Sequence, residues 1–63
     1  ARLANDKTAI ACSFRGLGEI YAKKEEFDKS IESFISAKKY FNEIGHQGAI
    51  QSINVLINNL PNQ

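Results

Sequence analysis

The feature that constrains this chain most is the spacing of its large apolar side chains. Ile10, Phe14, Leu17 and Tyr21 follow one another at steps of four, three and four. Side chains along an α-helix advance by about 100° per residue, so these four share one face. Phe27, Ile31, Phe34, Ala37, Phe41 and Ile44 mark a second such face, and Ile50, Ile53, Leu56, Ile57 and Leu60 a third. No stretch alternates with period two over the length of a strand. The pattern predicts an all-α chain, an antiparallel helix-turn-helix with a third helix, over about residues 6–24, 27–44 and 48–60.

The ends of these helices have their own signals. Asn5 or Asp6 is expected to cap the first helix by accepting orphan backbone N–H groups. Lys23 and Lys24 suit the negative end of its dipole. A turn is placed at Lys24-Glu25-Glu26, although no glycine stands there. Glu25, Glu26 and Asp28 complement the start of the second helix, and Lys38 and Lys39 its later turns. Gly45 stands where a helix ends on a left-handed residue. Pro61 marks the end of the third helix, because the residue before proline disfavours helical geometry.

At 63 residues the chain is one small domain or a piece of one. A chain of this size buries only about 60% of the surface that its unfolded form exposes. Net charge is +1, which draws it neither to nucleic acid nor to a membrane surface. Lys23/Lys24 and Lys38/Lys39 are separate pairs with acids nearby, so they form no nucleic-acid footprint. No apolar run approaches the roughly 20 residues that span a bilayer. Cys12 is the one cysteine, so no internal disulfide can staple the fold. A lone thiol, and no apolar signal core between Ala1 and Cys12, lead us to expect a cytoplasmic setting.

Phe14-x2-Leu17-Gly18-x2-Tyr21, followed by Ser30-x3-Phe34-x2-Ala37, resembles the tetratricopeptide repeat. In that family an aromatic, a Leu-Gly pair and a tyrosine on one helix precede alanine, phenylalanine and alanine on the next. The resemblance covers Ala11 to Ile44. Ser30 stands where the family has alanine, and Asn42 where it often has proline, so the second helix is expected to run on for another turn. The third helix looks like the first helix of a following repeat, with Ile53, Leu56, Ile57 and Leu60 aligned on Phe14, Leu17, Gly18 and Tyr21. Ile57 in the glycine position suits a capping helix. The Glu43–Gly48 junction resembles the longer connector of extended repeats. The residue types also make sense on packing grounds. Gly18, Ser30 and Ala37 let two helix axes approach, and Phe14, Tyr21, Phe27 and Phe34 fill the space between them.

The resemblance implies a protein- or peptide-binding scaffold with no catalysis of its own, no cofactor and no metal. It implies a segment of a longer array, in which neighbouring repeats supply burial that this chain lacks. The junction before Gly48 tilts the reading toward a peptide-sensing regulator or a signalling adaptor. Repeat geometry would turn Cys12, Arg15, Glu19, Ala22 and Lys23 of the first helix toward a groove, with Gln51, Asn54 and Asn58 of the third. Arg15, Glu19, Lys23, Gln51, Asn54 and Asn58 are the candidate binding residues. Asparagine amides both donate to and accept from an extended backbone, and Arg15 can bond a carboxylate. Glu19 stands where the family's carboxylate-binding members have asparagine. The alternative is a structural module that docks on its own chain or on a second copy, as a homo-oligomer. A third possibility is a repeat serving a catalytic domain elsewhere.

Other chemistry is sparse. Cys12 and His46 are single and lie on different elements, without zinc-ligand spacing. Arg15, one turn from Cys12, would favour its thiolate. His46 follows a helix C-terminus, which favours an imidazolium. Gly16-Leu17-Gly18 lies within a helical pattern and not after a strand, so it is no phosphate loop. Gly18→Leu should lower stability by about 1–3 kcal/mol or more through overpacking, as read from urea denaturation.

Overall fold

The computed structural model describes the backbone of residues 2–61 and the side chains of residues 7–61. It contains three helices: α1 over Arg2–Lys23, α2 over Phe27–Glu43 and α3 over Gln47–Asn58. The all-α hairpin with a third helix is what the structure shows. α2 is the central element, packed along α1 and against the shorter α3. Contacts at the two ends of the hairpin show that α1 and α2 run antiparallel. Lys7, early in α1, pairs with Glu43 at the end of α2 at 2.9 Å. At the other end the Lys29 ammonium lies 5.8 Å from the centre of the Tyr21 ring. Among the described residues no helix is long and apolar enough to cross a membrane.

The hairpin closes on small residues. Ala11, Ser30 and Ala37 are fully buried. A Cβ placed on Gly18 would lie 2.6 Å from Cδ1 and Cε1 of Phe34, closer than real Cβ contacts come. The Phe34 ring therefore occupies the space a side chain would need, and it is itself buried. Burying a phenylalanine side chain contributes about 1.5–3 kcal/mol. The Ser30 hydroxyl donates to the Gly18 carbonyl at 2.6 Å, so the serine ties the two helices at their closest point. Phe14 stacks on Tyr40 across the same seam, with ring centroids 6.0 Å apart and planes 9° from parallel. Tyr40 is half-buried through that contact.

This packing corrects the expected inner face of α1. Ile10 and Leu17 are 39% and 41% exposed. The helix instead turns Ala11, Phe14, Gly18 and Ala22 toward its neighbours, at steps of three, four and four. At close approach the smallest residues lie on the line between the axes, and the larger apolar ones fall to the flank. Ile44, assigned to the inner face of α2, is also exposed and lies beyond the helix end.

The boundaries shift for local reasons. α1 begins at Arg2, so Asn5 and Asp6 lie inside the helix and do not cap it. α3 begins at Gln47, where the His46 ring accepts the Ala49 N–H at Nδ1 over 3.3 Å. α3 stops at Asn58. Leu60 lies past its end but remains buried, with its N–H bonded to the Ile57 carbonyl.

Both turns are built alike. After α1, the Glu25 N–H bonds the Ala22 carbonyl and the Glu26 N–H bonds the Tyr21 carbonyl. After α2, the Gly45 N–H bonds Asn42 and the His46 N–H bonds Phe41 in the same pattern. These are paired Schellman closures, each with a left-handed residue at its centre: Glu25 at φ 64° and Gly45 at φ 76°. The junction before α3 is thus three residues, Ile44 to His46, and no longer than the Lys24 to Glu26 turn. The expected longer connector is absent, and with it the feature that tilted the reading toward a peptide-sensing regulator. The missing glycine in the first turn is explained by a glutamate held in the left-handed region, where an L-residue costs about 1–2 kcal/mol. Glycine's greater unfolded-state entropy offsets part of any gain from replacing it. Glu25→Gly should therefore raise stability by about 0.5–1 kcal/mol, and Gly45→Ala should lower it by about 1 kcal/mol. Urea denaturation of the two variants beside the parent chain measures both.

Candidate functional site

α3 leaves a cleft where its last turns pass the end of α1. Glu19, Ala22 and Lys23 form one wall, Leu56, Asn59 and Leu60 the other, and Phe34 of α2 contributes from below. The cleft encloses about 260 Å³. That is just below the range of drug-sized ligand pockets and suits one or two side chains. Its interior is apolar, and its polar groups are one carboxylate, one ammonium and one amide.

The helices place these groups for identifiable reasons. Glu19 and Lys23 are one turn apart on α1, and Ala22 between them is small enough to leave the space open. Leu56 on α3 and Leu60 just past its end both pack at the core. Asn59 caps the end of α3, its N–H bonded to the Val55 carbonyl.

The six residues expected at a groove separate into two groups. Glu19 and Lys23 line the cleft. Arg15 stands one turn away and pairs with Glu19, Nε to Oε2 at 3.5 Å. Both groups are about half exposed, and such pairs contribute little to stability. Arg15 is therefore engaged with Glu19 and not with Cys12, which is exposed. Gln51 and Asn58 are exposed and Asn54 is half-buried, and none of the three lines the cleft. At 100° per residue they lie about 140–160° around α3 from Leu56, on its other flank. Asn59, Leu56, Leu60 and Phe34 take their place. Leu56, Leu60 and Phe34 were visible in the sequence as core residues. Nothing in the spacing marked them as a binding wall, because that depends on how far α3 diverges from α1.

A second hollow of about 300 Å³ lies at the first turn, lined by the consecutive residues Glu25 to Lys29. It has no opposing wall, and its Glu26 carboxylate already pairs with Lys29 at 3.3 Å. Among the described residues no group of three or more His, Cys, Asp or Glu side chains could hold a metal ion. The His46 ring meets Phe41 edge-on, with centroids 5.5 Å apart, so its place beside the core and at the start of α3 is structural. No protein-family model, curated protein or solved structure matches the chain.

One carboxylate stands apart electrostatically. The Lys7 hydrogen bond and charge hold Glu43 below its ordinary value, with Lys39 adding a smaller effect in the same direction. A carboxylate depressed by folding contributes stability above its unfolded value, about pH 4.3, and loses it as pH falls through the folded value. Glu43→Gln should therefore lower stability slightly at neutral pH, and the difference from the parent chain should vanish as pH falls below about 4.3, which flattens the acid limb. Added salt should shrink the difference, because both groups face solvent. Thermal melts across the acid range at two salt concentrations test this.

Proposed function

We propose that this chain is a tetratricopeptide-like helical unit that binds a segment of another protein or peptide in the cleft between α1 and α3. The observation that carries the reading is the cleft itself, an apolar recess lined by Phe34, Leu56 and Leu60 beside Glu19, Lys23 and Asn59. Open apolar concavities with a few polar groups at the rim are the ordinary form of a recognition site. The close approach at Gly18 and the buried Ser30 and Ala37 support the family reading, because they place small residues where the repeat pattern has them. An exposed, unpaired Cys12 supports a reducing compartment such as the cytoplasm.

Recognition would work by insertion. An apolar side chain of the partner displaces water from the cleft, and the Asn59 amide and Lys23 ammonium bond the partner's main-chain carbonyls beside it. One buried side chain supports only weak binding, with a dissociation constant on the order of 0.1–1 mM. Titration with short peptides bearing a single leucine or phenylalanine should shift the amide resonances of Ala22, Leu56 and Leu60. Ala22→Leu, which fills the cleft, should abolish those shifts while helicity is kept. Asn54→Ala with Asn58→Ala should leave them unchanged. Loss of binding in the asparagine variant alone would move the site to the other flank of α3.

A further inference from the structure

We propose that the α1–α3 cleft selects segments in which the inserted apolar residue has an acidic neighbour, and that Lys23 is the group that reads the acid. This selectivity rests on the cleft being the binding site and adds the class of sequence bound there. Three groups at the cleft can recognise polar chemistry: the Glu19 carboxylate, the Lys23 ammonium and the Asn59 amide. Two of them carry charge, and those two stand in different surroundings.

Glu19 is already engaged. Arg15, one turn back on α1, lies with Nε 3.5 Å from its Oε2. Among the described residues no carboxylate pairs with Lys23. The turn that follows leaves its charge standing. Glu26 pairs with Lys29 at 3.3 Å, and the charges of Lys24 and Glu25 offset each other. One positive charge therefore remains at the edge of an apolar recess. The helix ends do little to cancel it. The carbonyls of Ile20, Tyr21 and Ala22 accept from Lys24, Glu26 and Glu25, and those of Val55 and Ile57 accept from Asn59 and Leu60. Carbonyls closed in this way present less negative potential to a ligand than open ones.

The reach of the side chain fits the same occupant. Ala22, which lines the cleft, directly precedes Lys23, so the lysine stem starts beside the apolar surface. In an extended segment the residue next to the inserted one is about 3.3 Å further along. That step is within the range of a flexible four-carbon stem. The ammonium has three N–H donors, so it can bond a main-chain carbonyl and a carboxylate together. A basic neighbour would instead face Lys23 and find Glu19 held by Arg15. Lys23 is exposed, so the charge pair tunes affinity a few-fold and the apolar side chain supplies most of the binding.

Three short peptides with blocked ends test the proposal. They carry one leucine and differ only in the two residues flanking it, which are aspartate, asparagine or lysine. Titration followed at the amide resonances of Ala22, Leu56 and Leu60 should rank aspartate tightest and lysine weakest. The gap between aspartate and asparagine should be about two- to fivefold at low salt. Added salt should narrow it. Lys23→Gln should abolish the gap and Lys23→Arg should keep it, with helicity checked for both by circular dichroism. Arg15→Gln, which frees Glu19, should narrow it as well. Equal affinity for the three peptides overturns the selectivity and leaves the cleft reading in place. So does a gap that survives Lys23→Gln. Absence of shifts with all three peptides overturns the cleft reading, and the selectivity falls with it.

Discussion

The structure depends on the approach of one helix backbone to one aromatic ring. Gly18 lets the Phe34 ring lie against α1, and the Ser30 hydroxyl locks that contact by bonding the Gly18 carbonyl. A helical carbonyl already accepts one intrahelical bond, so the serine uses its second lone pair and leaves nothing buried and unpaired. Among the described residues every buried side-chain polar atom has a partner. This one contact sets the distance between α1 and α2, and that distance decides which residues are inside. Ala11 and Ala37 are buried because the axes are close, and Ile10 and Leu17 are left on the flank for the same reason.

The two turns carry that geometry to the third helix. Each is a three-residue closure with the same pair of backbone bonds, so α2 and α3 begin after equivalent reversals of the chain. α3 then packs through Ile53 and Leu60 with the Phe41 side of α2, and it nears α1 only toward its own end. The space left there is the cleft. The candidate site is thus a consequence of packing: a short helix held by a few apolar residues leaves a gap where it passes a longer one.

Helix existence and type were legible because apolar spacing is a local property of the chain. The left-handed Gly45 and the close approach at Gly18 were legible because glycine stands where a side chain could not. Glu25 was not, since any non-glycine residue in that conformation is held there by its surroundings and carries no mark of its own. The start of α1 was not legible either, because Asn5 and Asp6 serve a helix interior as well as a cap, and the helix begins before them. Of the candidate binding residues, Glu19 and Lys23 meet at the cleft, with Arg15 linked to them through Glu19. Gln51, Asn54 and Asn58 share a face of α3 as their spacing says, but that face is turned away from Leu56.

Sequence alone determined that this chain forms helices, how many, and roughly where they end, because those properties rest on periodicity and on the backbone freedom of single residues. It also marked Gly18, Ser30 and Ala37 as the places where two helices meet. Tertiary structure decided which apolar side chains the helices cover and which they leave exposed. It also decided where α3 diverges from α1. Those outcomes depend on the distance and angle between helix axes, and they arise only when side chains from separate segments compete for the same space.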